Sequence, residues 1–396
     1  MRFLVLTFVT TLLVSCCGCG SKYGGHDKIK KVEGQIQTVF PGKNVVFSDV
    51  TKNAIDKAVY IRDLFPVQEI VMLEVTEESV IGEITDVAYI NGNWFVFDFL
   101  QNQVLKFDFN GTFLAKIGKQ GGGPGEYRKL ATMEHCFGNN LAVLDGGQGK
   151  IIVYNEYGDH VKTFNGMADG ERYIPNYSFI WEDESSLYLS CFASFNDRAP
   201  WHVILDPSTA KGSVVGGFGE RFIPAVRARY NKVFSSFRKI DGYIWVGSPF
   251  KSTLEIYSKN GHFIGPLGEI PPDGITEDDF DGVDLTDRVR RRLPFKGKKS
   301  NVWIFPPVGN LVVVCMTGSW FDLYDVKGNI IKTGLRNKKL TPILESFDNI
   351  AVSMLRVHDN MELYAEDDLL MLLEKGWDPE KNSDDNPYLR LGAMPQ

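Results

Sequence analysis

The sequence predicts an all-β chain folded as a six-bladed β-propeller of four-stranded antiparallel blades, with a short helix near the C-terminus. Three observations lead to this fold class. A unit of four short strands recurs along the chain, asparagine and glycine pairs mark the turns between the strands, and the 39 glycines suit many tight turns. The 396 residues, of which 43% are hydrophobic, are ample for one large closed core.

The clearest unit runs from Ile84 to Gly118 and alternates between apolar and polar residues, as half-buried strands require. A turn at Asn91-Gly92 separates its first two strands, and a turn at Asn110-Gly111 separates its last two. The same order of strands and turns returns four more times. The glycines assigned to the last turn of each unit recur about every 50 residues, a period typical of propellers. These glycines are Gly111, Gly158, Gly212, Gly261 and Gly328.

The sixth blade is predicted to be split between the two chain ends, because closing the ring removes the open edge of the sheet. Its candidate strands are Glu69 to Val75, Ile350 to Val357 and Asn386 to Leu391. Between the last two, Glu362 to Lys375 has leucines at helical spacing and is followed by Gly376, which predicts a helix on the propeller. A β-sandwich is the alternative fold, but it does not predict five copies of one strand order.

The first residues are typical of an export signal. Met1-Arg2 is basic, and Phe3 to Val14 is an apolar run too short to span a bilayer. The run ends in Leu13-Val14-Ser15-Cys16, which resembles the bacterial lipobox. That resemblance implies cleavage before Cys16 and lipidation of its sulfur, although an ordinary secretory signal, or Cys17 or Cys19 in place of Cys16, stays open. The predicted organisation is a signal peptide (1–15), a lipidated tether (16–44) and the propeller (45–396).

A longer resemblance covers about residues 45 to 396. The loop from Ile117 to Tyr127, which contains Gly-Pro-Gly-Glu-Tyr, resembles the NHL-type repeat. With the Asp-Asn-Pro-Tyr-Leu ending, the chain is similar to the six-bladed β-propeller lipoproteins of Bacteroides and its relatives. This resemblance implies the fold and an address in the bacterial outer membrane, facing the periplasm or the cell surface. It implies no activity.

Charge and cysteine usage exclude several functions. A net charge of −7 argues against nucleic acid as a partner. Cys136, Cys191 and Cys315 have no disulfide or metal-ligand spacing and are predicted to be core or strand residues. The six histidines show no HxH or HExxH spacing, so no metal or other cofactor is predicted from motifs. A calcium site whose ligands come from several blades at the central channel stays open.

Two recurring features are assigned structural roles. Asp98 and Asp145 follow the second strand of their units at equivalent places, which predicts that they stabilise turns. The glycine-rich segment from Gly118 to Gly125 lacks the Lys-Ser/Thr pair of a phosphate-binding P-loop. It is therefore expected to connect two blades, with Glu126 capping local amides.

The insertion from about Gly265 to Ser300 is the longest departure from the repeat. It begins acidic and then turns basic at Arg288, Arg290 and Arg292. The interpretation we favour is a solvated face whose two halves neutralise each other. The functional alternative is a lip on one face of the propeller, where these arginines bind the carboxylate or sulfate groups of a glycan.

The function predicted from the sequence is non-catalytic. The protein is expected to be a monomeric binding or scaffolding lipoprotein whose ligand is a glycan or another envelope protein. The alternative is a propeller hydrolase or lyase acting on sugars or lactones at the central channel. No Gly-x-Ser-x-Gly motif or other catalytic set identifies reactive residues, so catalytic activity stays open.

Overall fold

The computed structural model describes residues 45–165, 167–168, 171–172, 175–183, 186–191, 202–209, 211–216, 236–247, 252–268, 274–275, 279, 301–316, 320–336, 343–355, 366–378 and 387–396. Their main feature is six four-stranded antiparallel sheets. The predicted six-bladed propeller, with its short C-terminal helix, is confirmed.

The blades are numbered here from the first sheet that is continuous in sequence. Within blades 1 to 5 the strands follow chain order from the first strand of the sheet to the last. Blade 6 includes one strand from near each end of the chain. Four further short strands form two separate two-stranded sheets. The strand preceding blade 1 is β1, Val67–Val71. Blade 1 consists of β2 Ile84–Ile90, β3 Asn93–Asp98, β4 Gln103–Asp108 and β5 Phe113–Ile117, and is followed by β6 Lys119–Gln120 and β7 Glu126–Tyr127. Blade 2 consists of β8 Leu130–Cys136, β9 Asn140–Asp145, β10 Lys150–Tyr154 and β11 His160–Phe164, and is followed by β12 Met167–Ala168 and β13 Glu171–Arg172.

The remaining blades continue in the same way. Blade 3 consists of β14 Pro175–Asp183, β15 Ser186–Cys191, β16 His202–Asp206 and β17 Lys211–Gly216. Blade 4 consists of β18 Ser236–Ile240, β19 Tyr243–Gly247, β20 Leu254–Ser258 and β21 Phe263–Leu267. Blade 5 consists of β22 Asn301–Ile304, β23 Leu311–Met316, β24 Trp320–Asp325 and β25 Ile330–Arg336. Blade 6 contains β26 Ile343–Phe347, β27 Ile350–Leu355 and β28 Tyr388–Ala393.

Blade 6 closes the ring with strands from both chain ends, as predicted. Its order is β26, β27, β28 and then β1, so that the N-terminal strand is the outermost one. Strand β28 pairs with β27 on one side and with β1 on the other. Three of these strands were predicted from the sequence, whereas β26, the innermost, was not.

The core is divided among the faces where neighbouring blades meet. One apolar cluster joins blades 1 and 2 through Phe95, Met133 and Tyr154. Another joins blade 6 to blade 1 through Trp94 and Leu389. Neighbouring blades therefore bury their faces against each other, and the fold depends on a closed ring. Cys136 and Cys315 are buried in such clusters, as expected, whereas the side chain of Cys191 lies outside the description.

An N-terminal helix that the sequence analysis missed lies against blade 5. Helix α1 spans Asp49–Lys57, and a 3₁₀ helix follows at Ile61–Leu64. The ammonium group of Lys332, on β25, donates to the carbonyls of Ile55, Asp56 and Ala58 at 2.6, 2.9 and 2.8 Å. A lysine thus caps the C-terminal end of α1, where helix carbonyls lack partners.

The predicted C-terminal helix is present as α2, Glu366–Glu374. Its Leu372 packs with Ile70 of β1, Tyr388 of β28 and Trp377. The helix therefore covers the outer part of blade 6. Among the described residues, no helix is long and apolar enough to span a membrane.

The turn glycines behave as predicted in four of the five units and differently in the third. Gly111, Gly158, Gly261 and Gly328 have φ between 82° and 95°, a conformation that favours glycine. Gly212 instead lies within β17, paired with Leu205. The assignment of Gly212 to a turn was wrong, because in this unit Asp206 holds the turn through Ser208 and Thr209 at 2.9 and 3.3 Å.

Candidate functional site

The first strand of each blade lines the central channel of a propeller. Pairing registers place Glu134 of blade 2 opposite Ala142, Arg238 of blade 4 opposite Trp245, and Glu345 of blade 6 opposite Val352. Ala142, Trp245 and Val352 are each the third residue in the second strand of their blade. The three charged side chains therefore occupy one repeat position in alternate blades. Ala88 has this position in blade 1.

Arg238 and Glu134 form an ion pair between blades 2 and 4. Nη1 of Arg238 donates to Oε1 of Glu134 at 2.7 Å. Blade 3 lies between these blades in the chain, so the pair connects strands that are not neighbours in the ring. Burial alone would lower the pKa of Arg238, but the carboxylates of Glu134, Asp86 and Glu345 outweigh burial and raise the pKa above its usual value. Arg238 is therefore charged.

Asp86, on β2 of blade 1, extends the cluster to a fourth blade. Its Oδ2 accepts from Oγ1 of Thr132 at 2.8 Å and from the amide of Met133 at 3.0 Å, both on β8. Burial chiefly, and then the charge of Glu134, raise the pKa of Asp86 to about 7, while the hydrogen bonds from Met133 and Thr132 oppose the rise. Asp86 therefore exchanges its proton near neutral pH.

Glu345 completes the cluster from blade 6. Its Oε1 accepts from the amide of Ser346 at 2.8 Å, and its Oε2 from the amide of Tyr89 at 3.4 Å. Burial chiefly, and also the charges of Glu134 and Asp86, raise the pKa of Glu345 to about 8, although the hydrogen bond from Ser346 and the charge of Arg238 oppose the rise. We call Asp86, Glu134, Arg238 and Glu345 the channel cluster.

The channel cluster is surrounded by protein but remains accessible to solvent. The side chain of Arg238 is 16% exposed and that of Glu134 is 27% exposed. These fractions show that solvent reaches part of the cluster. No group of three or more histidine, cysteine, aspartate or glutamate side chains suited to a metal ion occurs in the described part of the chain.

Polar side chains flank the cluster one residue further along the strands. His135, next to Glu134, is exposed as a whole residue. Partial desolvation of its ring by the surrounding protein still lowers its pKa, while the charge of Glu134 opposes this. Lys239, next to Arg238, forms an ion pair with Glu182 at the end of β14. Glu182, which does not belong to the channel cluster, thus neutralises the charge of Lys239.

The aspartates that the sequence analysis singled out have the structural role it predicted. Both are fully buried. Asp98 accepts the amides of Gly82, Glu83 and Leu100 at 3.0, 3.0 and 3.1 Å. Asp145 does the same in blade 2. Each carboxylate ties the turn after the second strand to the segment that enters the blade.

The glycine-rich loop is a connection between blades 1 and 2, as predicted. Glu126 accepts the amide of Gly123 at 2.8 Å and pairs with Lys119 at 3.0 Å. A Cβ atom at Gly121 would lie 2.1 Å from Oε2 of Glu126. A side chain at position 121 would displace the carboxylate of Glu126 from this loop.

The predicted lipidation site and the predicted glycan-binding arginines do not belong to the part of the chain that the structure describes. Cys16, Arg288, Arg290 and Arg292 all lie outside the described residues. A shallow groove beside blade 6, lined by Pro66, Gln68, Asn349 and the last four residues, includes no member of the channel cluster. It offers no charged set comparable to that cluster.

The channel cluster itself was missed by sequence reasoning, although a signal was present. Each member is a charged residue in the first strand of its blade: Asp86 in ITDVAYI, Glu134 in LATMEHC, Arg238 in SFRKI and Glu345 in ILESF. Aligning the six units by their turns would have shown that one position is charged in alternate blades.

Comparisons with known proteins agree with the fold. Residues 46–211 match a family described as a domain of unknown function, DUF4934. A protein from Bacteroides fragilis that is described as exported is 14% identical, with a TM-score of 0.55 over 85% of this chain and 97% of that one. A member of the duf4221 family from Bacteroides vulgatus is 9% identical, with a TM-score of 0.53 over 83% of this chain and 97% of that one. No curated protein matches the sequence significantly. The two structures share the fold with this chain, and at these identities they show nothing more.

Proposed function

We propose that the protein is a non-catalytic binding lipoprotein of the bacterial envelope and that the central channel holds its ligand. The observation that carries this proposal is the Arg238–Glu134 pair, which is solvent-accessible and surrounded by two further carboxyl groups. Concave sites with a few convergent polar groups are typical of small-molecule binding. Because the site lies within one propeller, a monomer suffices.

The envelope address is supported by the sequence at Cys16 and by the description of the Bacteroides fragilis protein as exported. In this proposal, lipid on Cys16 anchors the protein in the outer membrane, residues 16–44 act as a tether, and the Gly118–Tyr127 loop reflects an NHL-like ancestry. Labelling cells with a fatty-acid analogue should mark the wild type and Cys17→Ser but not Cys16→Ser. Equal labelling of all three would contradict lipidation of Cys16.

Binding in the channel is tested with the purified soluble domain and a library of small neutral, anionic and cationic compounds. A ligand should raise the melting temperature of the wild type in proportion to its occupancy. The stabilisation should be lost in Arg238→Met and retained in Lys239→Met. The two variants remove neighbouring positive charges, and only Arg238 belongs to the channel cluster. If no compound stabilises the wild type, or if both variants respond alike, the channel is not the binding site.

A hydrolase or lyase acting at the same channel is the second candidate. The observation in its favour is that Asp86 and Glu345 have pKa values of about 7 and about 8, in the range suited to general acid–base catalysis. Incubation of bound sugars and lactones with the protein, followed by product analysis, separates the two candidates. Turnover that disappears in Glu345→Gln would favour the enzyme, and binding without turnover favours the binding protein.

A further inference from the structure

Arg238 has an unused donor in the channel. Its Nε is buried and has no hydrogen-bond partner among the residues that the structure describes. The ion pair with Glu134 uses Nη1 and Oε1 only. Buried donors in native proteins are almost always satisfied by protein, water or ligand. The guanidinium therefore has donors that the described residues do not satisfy, and their acceptor is water or a ligand.

The charges around Arg238 restrict what this acceptor is. Asp86, Glu134 and Glu345 all interact electrostatically with the guanidinium. An anionic ligand would accept from Arg238, but it would also meet the carboxylate of Glu134, which is already paired with the guanidinium. A cationic amine would pair with the carboxylates, but it has no acceptor for Nε. A hydroxyl group satisfies both kinds of partner, because it donates one hydrogen bond and accepts two.

We propose that the channel cluster binds an uncharged sugar, with neighbouring hydroxyls that accept from Arg238 and donate to Glu134. This inference rests on the proposed binding function and names its ligand class. The ion pair uses only Nη1 of Arg238 and Oε1 of Glu134, so Oε2 and the other guanidinium donors are left for a ligand. Two neighbouring hydroxyls on a sugar ring suit these groups, because one accepts from Arg238 and the other donates to Glu134. Both partners of the ion pair thus contact the ligand.

The protonation of the cluster supports an uncharged ligand. Near neutral pH, Glu345 with a pKa of about 8 is mostly protonated, and Asp86 with a pKa of about 7 is partly so. The charge of Glu134 is offset by that of Arg238. The net charge of the cluster is therefore small, and the protonated carboxyl groups both donate and accept.

Isothermal titration with sugars of matched shape and different charge tests the proposal. The probes are glucose, galactose, mannose, xylose and arabinose, together with glucuronate, galacturonate, glucosamine and galactosamine as charged counterparts. At least one neutral sugar should bind saturably, and more tightly than its charged counterparts. Arg238→Met should raise its Kd about tenfold or more, as expected for hydrogen bonds to a charged group. Lys239→Met, the matched control, should leave Kd unchanged.

The outcomes separate this inference from the broader proposal. If a sugar acid or an amino sugar binds saturably and no neutral sugar does, the proposed ligand class is wrong. If Arg238→Met weakens that binding, the channel is still the binding site. Binding of a neutral sugar that is unaffected by Arg238→Met would place the sugar elsewhere. If Arg238→Met does not fold, as checked by circular dichroism, Glu134→Gln provides the second variant, and it too should raise Kd. The absence of binding by all neutral sugars overturns the inference, and the wider compound library then decides the proposed function.

Discussion

Nε of Arg390 lies 2.8 Å from Oδ1 of Asp368, and these side chains are only 7% and 8% exposed. The pair joins β28 to helix α2. Nη2 of Arg390 also donates to the carbonyl of Phe65 at 2.9 Å, just before β1. One guanidinium thus links β28 and helix α2, near the C-terminal end of the chain, to the segment before β1, which lies 325 residues away. The pair therefore supports closure of the ring.

Asp368→Ala should lower the free energy of unfolding by about 3–5 kcal/mol, because it leaves the charge of Arg390 buried without its partner. Urea denaturation measures this loss. Lys375→Ala is the control, since Lys375 pairs with Glu69 at 2.5 Å with both side chains at least 35% exposed. Exposed pairs contribute at most about 1 kcal/mol. Equal losses in the two variants would show that the buried pair has no special role.

Deleting residues from Asn386 to Gln396 should abolish cooperative unfolding. The deletion removes β28, the strand on which both β27 and β1 pair, and opens the ring. Thermal melting followed by circular dichroism is the measurement. Deleting only Pro395 and Gln396 is the control, because it keeps β28 and removes one hydrogen bond from Thr51. An unchanged melting temperature in the longer deletion would show that these residues are a dispensable tail.

The fold was predictable because each blade repeats its own local signals. Period-2 alternation and turn pairs such as Asn91-Gly92 specify strands and hairpins within about 35 residues, and ring closure then follows from the unpaired segments at the ends. Helix α1 was not predictable in this way, because it depends on Lys332, more than 270 residues away. The channel cluster was not predictable for the same reason, because the closed ring brings together residues that are far apart in the sequence. No local pattern shows that Glu134 and Arg238 meet, since 104 residues separate them.

Asp145→Ala should destabilise the protein by about 3 kcal/mol, because it removes the buried carboxylate that accepts from three backbone amides, at about 1 kcal/mol each. Asp145 accepts the amides of Arg128, Lys129 and Gly147 at 2.8, 3.1 and 2.9 Å. Asp108→Ala is the matched control, since Asp108 accepts the amide of Thr112 in an exposed turn. Its loss should cost about 1 kcal/mol. Chemical denaturation distinguishes the two, and similar costs would mean that burial of Asp145 does not matter.

Changing Arg288, Arg290 and Arg292 together to alanine tests the role of the insertion, which lies outside the described residues. If the insertion forms an anion-binding lip, the triple variant should lose binding to acidic glycans on an array and keep its melting temperature, because exposed ion pairs contribute little to stability. A wild type and a variant that are equally silent on the array would support a solvated face. A large loss of stability would show that the arginines are structural.

Stability should fall as the pH rises from about 5 to 9 because of the channel cluster. Asp86 and Glu345 have ordinary pKa values of 3.8 and 4.5, which become about 7 and about 8 in the folded protein. Between these limits the folded state binds more protons than the unfolded state, so the free energy of unfolding decreases as the pH increases. Asp86→Asn and Glu345→Gln remove the titrating groups, and each should flatten the decrease.

The control for this pH dependence is Asp206, whose pKa is shifted in the opposite direction. Hydrogen bonds from Ser208 and Thr209 lower the pKa of Asp206 to about 2. Its stabilising contribution is present above its unfolded pKa and is lost only as the pH falls well below 5, so Asp206→Asn should leave the slope between pH 5 and 9 unchanged. The lowered pKa of His135 makes the free energy of unfolding increase with pH below about pH 6.5, which is the opposite effect. His135 is present in all the variants, so its contribution cancels when their slopes are compared. Urea denaturation at each pH gives the slopes. If Asp86→Asn and Glu345→Gln keep the wild-type slope, the channel carboxyl groups are ionised throughout this range and do not hold protons near neutral pH.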